Sequence, residues 1–323
     1  MAGQGADGLF RLGLVGAGRM GRTHLRALAD SAVLRVVAVA DPVATARDAA
    51  VALAPGATSH ASVAEMLDGA VGDGRSRLDG VLICAPTDQH LDVVGEVAAA
   101  GLPILCEKPC GITSAQARAA AELAASAGVP LQVAYWRRYV PQLRVLREQI
   151  LTGYLGTVHL VSCHQWDESP PAAAFRMHSG GIFIDQGVHE FDQIRWLTGQ
   201  EIGELAVVAV AGDAPPGDAD SAQAITRLSG GVAGFVSLGR YHRGGDMVRA
   251  EVFGSAGTAR CDTIQPAEGE RAQLAALVAQ AADFAALARG ETGLGGATAA
   301  DAVAALEAAE RASAAIPVVP AAE

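Results

Sequence analysis

Short, almost continuous apolar runs alternate with helical stretches over the first 135 residues. Residues 10–15, 34–40, 78–85, 102–106 and 129–135 read as buried strands. Residues 23–28, 62–67, 91–100 and 115–127 read as helices between them, the last with Thr113 and Ser114 placed to cap it. Strands that are apolar on both faces and separated by helices predict a doubly wound parallel sheet, a Rossmann-type α/β domain over residues 1–134. The rhythm then changes. After a helix at 142–152 closed by Gly153, strand-like runs at 158–164, 205–210, 222–228, 232–238 and 249–253 follow one another, with Ser229-Gly230-Gly231 as a hairpin turn. Residues 213–220, rich in Pro, Gly and Asp, read as a surface loop. Helices are expected at 271–289 and 299–315, with 316–319 a short strand or tail. Residues 135–323 are therefore expected to form an α+β domain with a largely antiparallel, open-faced sheet.

Composition adds compartment and excludes partners. A formal net charge of -11 offers no basic stripe to nucleic acid or to an anionic membrane surface. No apolar run approaches the roughly 20 residues of a membrane span, and the start lacks the basic and apolar regions of a signal peptide. The 5 cysteines (Cys84, Cys106, Cys110, Cys163, Cys261) are odd in number and form no C-x-x-C pair, so reduced thiols in a soluble, cytoplasmic protein are expected.

The first strand runs into Gly16-Ala17-Gly18-Arg19-Met20-Gly21, a G-x-G-x-x-G in the context of strand, tight turn and helix start. Gly16 permits the turn, Gly18 lets a pyrophosphate approach the backbone, and Gly21 permits close packing of helix on strand. The phosphates would meet the free N–H groups of the helix N-terminus. The second strand ends in Asp41, where a carboxylate would accept hydrogen bonds from an adenosine ribose and repel a 2′-phosphate. NAD is thus favoured over NADP; the alternative for Asp41 is a turn acid before Pro42.

Leu105-Cys106-Glu107-Lys108-Pro109 ends another strand, and Lys108 is the single lysine among 24 basic residues. An amine can share or pass a proton where a guanidinium stays charged; the alternative is an Arg-biased composition with one survivor. In the second half, residues 179–199 form a helical segment opened by Gly180-Gly181 and stopped by Gly199. Asp185, His189 and Asp192 stand at i, i+4 and i+7, on one face of a helix. That face reads as a general base oriented by a carboxylate, as two metal ligands lacking an evident third, or as a buried hydrogen-bond set.

These motifs together resemble the Gfo/Idh/MocA oxidoreductase family, and within it the inositol 2-dehydrogenase branch. The resemblance rests on the glycine motif, on Ala85-Pro86-Thr87 with His90, on Glu107-Lys108-Pro109 and on the helix from Gly180 to Asp192. Trp136-Arg137-Arg138-Tyr139, Asp167-Glu168-Ser169-Pro170-Pro171 and Arg249-Ala250-Glu251-Val252-Phe253-Gly254 are also similar to that branch. It implies a nicotinamide-dinucleotide domain and a second sheet whose open face makes dimers or tetramers. It also implies a cis bond before Pro109 and a catalytic set of Lys108, Asp185 and His189. Gly16, Ala17, Gly18, Arg19, Met20, Asp41, Ala85, Pro86, Thr87, His90, Glu107 and Lys108 would face the cofactor. Lys108, Trp166, Asp185, His189 and Asp192 would face the substrate, and no metal is expected. The expected reaction is hydride transfer between a ring secondary alcohol of a cyclitol or sugar and nicotinamide. Gln186-Gly187-Val188 stands where the inositol enzymes carry Met-Thr-Ile, and Tyr241-His242-Arg243-Gly244-Gly245-Asp246 lacks their aromatic beside the Asp. These departures keep an aldose, amino-sugar or keto-sugar oxidoreductase open as an alternative, with a non-catalytic dinucleotide-binding regulator behind it.

Overall fold

The apolar runs become the strands of a parallel sheet in the first of two units. A computed structural model describes residues 8–72, 77–265 and 270–316; the expected tail at 316–319 lies outside them beyond Ile316. The chain enters through β1 (Phe10–Val15), α1 (Arg19–Leu28), β2 (Leu34–Ala40), α2 (Ala44–Leu53), β3 (Thr58–His60) and α3 (Val63–Gly72). It continues through β4 (Gly80–Ile83), α4 (His90–Ala99), β5 (Ile104–Cys106), α5 (Ser114–Ser126) and β6 (Leu131–Val133). All six strands pair in parallel in the order β6-β5-β4-β1-β2-β3. This is the doubly wound order, whose direction reverses between β1 and β4. Leu12, Leu14, Leu82, Ile83, Ile104 and Leu105 are fully buried, as strands covered on both faces require. The helix after the glycine motif begins at Arg19, four residues ahead of the expectation, because the motif itself supplies the first turn.

The second unit opens on α6 (Pro141–Leu151), β7 (Val158–Trp166), the single turn α7 (Ala173–Arg176) and α8 (Val188–Thr198). A run of strands follows: β8 (Ile202–Val210), β9 (Ser221–Leu228), β10 (Ala233–Gly239), β11 (Met247–Gly254) and β12 (Gly257–Ile264). They form one sheet in the order β12-β11-β7-β10-β9-β8, antiparallel except for the central β7–β10 pair. Gly231, at a φ of 91°, closes the β9–β10 hairpin, and Gly199, at 67°, stops α8 in the left-handed conformation that glycine adopts without strain. α8 packs on β7 and β10. On the opposite face Val208, Val210, Ile225 and Phe253 are exposed.

The chain then returns to the first unit, which takes residues up to Gly111, Ala115–Tyr139 and Leu274–Val303. α9 (Arg271–Ala288) sets Phe284 edge-on against Phe10, ring centroids 5.7 Å apart, and a Cβ on Gly80 would strike both rings. β13 (Ala297–Thr298) adds an antiparallel edge to β6, and α10 (Ala299–Ala314) follows. Tyr139 donates to Asp283 at 2.6 Å and accepts from Gln132 at 2.7 Å, tying the returning segment to the end of the parallel sheet.

The start of α10 is a reciprocal cap. Asp301 N–H donates to Thr298 Oγ1, Thr298 N–H donates to the Asp301 carboxylate, and Arg138 stands 3.2 Å from it. Burial alone would raise the Asp301 pKa; the Arg138 charge and the Thr298 bonds outweigh it and hold the carboxyl below its usual range. A depressed folded-state pKa contributes stability that is present above the unfolded-state value and lost as pH falls through the folded-state value. Asp301→Asn is expected to destabilise the protein by about 1 kcal/mol at neutral pH and to have a smaller effect at strongly acidic pH. Urea titrations at both pH values check this, and an equal loss at both would be the wrong outcome.

Candidate active site

The glycine loop occupies the carboxyl end of β1. Gly16 has a φ of 91°, and a Cβ there would lie 2.5 Å from the main chain of Cys84 after β4. A Cβ on Gly21 would lie 2.1 Å from the Gly16 carbonyl, whereas one on Gly18 would meet no atom within 4 Å. Two glycines are thus demanded by packing. The third leaves open the backbone position that a pyrophosphate approaches, at a helix start where Arg19 and Arg22 lie in the first turn. The residues present fit a dinucleotide. Asp41 follows β2 and serves the loop as well: its Oδ2 accepts from Ala17 N–H at 2.7 Å and its Oδ1 from Val43 N–H at 2.8 Å. The guanidinium of Arg47 donates to the Asp41 carbonyl at 2.6 Å.

Lys108 lies at the carboxyl end of β5, in the same sheet and two strands from the glycine loop. The Lys108–Pro109 peptide is cis. Two buried histidines hold this turn. His24 Nε2 lies 2.7 Å from Glu107 Oε1, while Glu107 Oε2 accepts from Lys108 N–H at 3.1 Å. His90 places Nδ1 2.8 Å from the Pro109 carbonyl and Nε2 2.8 Å from the Ala85 carbonyl, stapling the turn to the loop after β4. Burial pushes the His90 pKa down, against the two carbonyls and the charges of Glu107 and Asp88. His90 and Glu107, expected beside the cofactor, are both buried and engaged with the protein itself. Pro86 leads into a 3₁₀ turn, Thr87–Gln89, ahead of α4, with Ala85 and Thr87 only partly buried. Among the described residues His24, Cys84 and Glu107 offer donor atoms within 4.8 Å of one another. The His24–Glu107 bond occupies two of these donors, and burial, then Glu107, raises the Cys84 thiol pKa well above its ordinary value.

In the second unit the segment from Gly180 departs from the expected continuous α-helix. Phe183–Gly187 is a π turn, and the α-helix proper begins at Val188. Asp185 therefore sits in the wider turn, one step off the regular α spacing to His189. His189 is 5% exposed and Asp192 2%. The π turn packs closely: a Cβ on Gly187 would meet the Phe183 ring at 3.1 Å and Leu238 of β10 at 3.2 Å. Gln186 donates to Asp167, just past β7. Trp166 donates through Nε1 to Ser237 at 3.1 Å, and its ring covers the Gly239 position so closely that a Cβ would lie 2.1 Å away.

Arg240, next after β10, is the residue that sequence reasoning missed. It is 0% exposed, and Nη1 donates to Asp185 Oδ2 at 2.8 Å. Asp167 lies 3.6 Å and Asp218 3.9 Å from the same guanidinium. Asp218 in turn accepts from Arg176 Nε at 2.6 Å. Burial raises the Asp167 pKa, and the Asp185 and Asp246 charges add to this; the Gln165 hydrogen bond and Arg240 oppose it.

The doubly wound sheet, the fitted glycine loop and the second, mostly antiparallel sheet define a dinucleotide-dependent oxidoreductase. The model of the "Oxidoreductase family, NAD-binding Rossmann fold" matches residues 10–135, and that of the "GFO/IDH/MocA C-terminal domain" matches residues 143–260. The chain is 49% identical over 272 residues to the rhizopine catabolism protein MocA of Rhizobium meliloti, covering 83% of each. It is 34% identical over 266 residues to the inositol 2-dehydrogenase of Rhizobium meliloti strain 1021, covering 81% of this chain and 78% of that one. A solved myo-inositol dehydrogenase from Corynebacterium glutamicum superimposes with a TM-score of 0.82 at 27% identity, over 97% of this chain and 100% of the other. The chain belongs to the Gfo/Idh/MocA oxidoreductase family, and its cofactor is NAD. No helix among the described residues is long and apolar enough to cross a membrane.

Gly18 and Gly21 separate binding from folding. Gly18→Ala is expected to leave the melting temperature unchanged and weaken NAD binding about tenfold, because the methyl group stands where the pyrophosphate approaches. Gly21→Ala is expected to cost about 3 kcal/mol of stability, because its Cβ collides with backbone that cannot move aside. Melting curves and fluorescence titration with NADH check both.

Proposed function

We propose that the protein transfers a hydride between a ring secondary alcohol of an inositol-like cyclitol or sugar and NAD, with Lys108, Asp185 and His189 handling the proton. The observation that carries this reading is the placement of the only lysine at the carboxyl edge of the sheet that also bears the glycine loop. The bound nicotinamide supplies the hydride acceptor for oxidation and the donor for reduction. In the oxidative direction His189 takes the hydroxyl proton on its imidazole, and Asp185 supports the resulting positive charge. The Lys108 ammonium hydrogen-bonds the reacting oxygen and stabilises the negative charge that develops there. Asp192 accepts from the remaining hydroxyls, and the Trp166 ring, its Nε1 donated to Ser237, packs against the substrate. Asp41, fixed by Ala17 and Val43 N–H groups, favours NAD over NADP by repelling a 2′-phosphate. Self-association through the face bearing Val208, Val210, Ile225 and Phe253 belongs to the same reading.

The test is NADH formation at 340 nm across cyclitols, aldoses and amino sugars, with NADP in parallel. Turnover of a cyclitol with NAD supports the reading. Tight NAD binding with no turnover of any member would favour a regulator and overturn it. A second reading, an aldose, amino-sugar or keto-sugar oxidoreductase, is favoured by Gln186-Gly187-Val188, where Gln186 in the π turn donates to Asp167. The same panel separates the two.

A further inference from the structure

We propose that Arg240 is a positioning residue for Asp185, locking the orientation of its carboxylate for the proton transfer. The inference rests on the assignment of Asp185 to the proton-handling set. Arg240 is anchored independently of the π turn that carries Asp185: it directly follows β10, and its own N–H donates to the Asp220 carbonyl at 2.8 Å. The guanidinium is fully buried, and Nη1 is donated to Asp185, while Nε and Nη2 have no hydrogen-bond acceptor among the described residues. A buried guanidinium cannot shed its charge, and it is costly to bury without an anionic partner. The other carboxylates facing it are spoken for. Asp218 stands farther off and is bonded to Arg176 Nε and to Ala219 N–H. Asp167 accepts from Gln186 and Gln165. Asp220, the remaining acid of the cluster, pairs with Arg176 at 2.8 Å. The direct bond to Asp185 is therefore the contact on which the guanidinium's burial depends, and the dependence runs both ways. Its partner is held in one orientation, four residues ahead of His189 in the chain.

Around the Arg240 guanidinium lie Asp185, Asp167 and Asp218, with Arg176 bonded to Asp218 behind them. Removing Arg240 takes away the guanidinium that fixes the Asp185 carboxylate in one orientation. Arg240→Gln is expected to lower kcat about 10- to 100-fold and leave the KM for NAD unchanged. Arg240→Lys, which keeps a buried cation but not the planar fork, should restore only part of kcat. It also carries the test if Arg240→Gln loses its fold. The cycle with Asp185→Asn separates the two layers of argument. Full turnover in Asp185→Asn alone would overturn the assignment of Asp185. If Asp185→Asn is impaired and the Arg240 change lowers kcat by the same factor in both backgrounds, the positioning role is overturned. Loss of the Arg240 effect in the Asp185→Asn background supports it.

Discussion

Replacing Lys108 by arginine is expected to lower turnover at least about 100-fold, the cost typical of removing one donor to a developing oxyanion. The variant retains a positive charge, so a loss of this size would isolate what the amine contributes: a compact donor that can pass a proton. The larger fork points its donors elsewhere. The fold should tolerate the change, because the turn is held by main-chain and neighbouring groups. Glu107 grips the Lys108 N–H, His24 grips Glu107, and His90 grips the Pro109 carbonyl. NADH titration should therefore give an affinity within about twofold of the parent, with kcat carrying the loss. Full turnover in Lys108→Arg would remove the amine from the proposed mechanism.

His189→Ala is expected to lower kcat by about 10² to 10⁴, the range for a general base. His189 is almost fully buried on the first turn of α8, between Val188 and Phe191, which face the core. Truncation to alanine leaves a small cavity, so a fall in melting temperature is expected alongside the kinetic loss. Partial rescue by added imidazole separates base chemistry from packing, since a merely structural histidine would give no rescue of kcat. A decrease in kcat of less than about threefold would exclude His189 as the base.

The parallel sheet was legible because each central strand is buried on both faces and reads as an apolar run with little interruption. Its flanks were less so. α2 is largely alanine and presents no apolar stripe, and β3, Thr58–His60, is three polar residues at an edge. β12 alternates Ala259, Cys261 and Thr263 with polar positions, too weak a pattern to register as a strand. The return of the chain to the first unit left no mark at all: β13 is two residues long, and the Phe10–Phe284 contact joins distant positions. The candidate site divided in the same way. The glycine motif, Asp41, Lys108 and the Asp185–His189 pair are local patterns with chemical meaning. Arg240 is one arginine among 23, and its role depends on acids 55 or more positions upstream and on a loop acid at 218, which only folding assembles. The π turn was equally hidden, since Gly187 signals close packing with Leu238 only once β10 is in place.

The solitude of Lys108 has a practical side. In most proteins an acylating ester spreads over dozens of side-chain amines, and the adduct pattern says little about any one of them. Here the single ε-amine lies on the turn proposed to face the nicotinamide. Apart from the amino terminus, the first mass increment from such a reagent would report one position, and its rate would follow the ionisation and accessibility of that amine directly. Saturation with NAD should slow the reaction. Conversely, coupling this protein to a bead or a dye through amines would inactivate the molecules it captures by their side chain, whereas cysteine- or carboxyl-directed chemistry would spare Lys108.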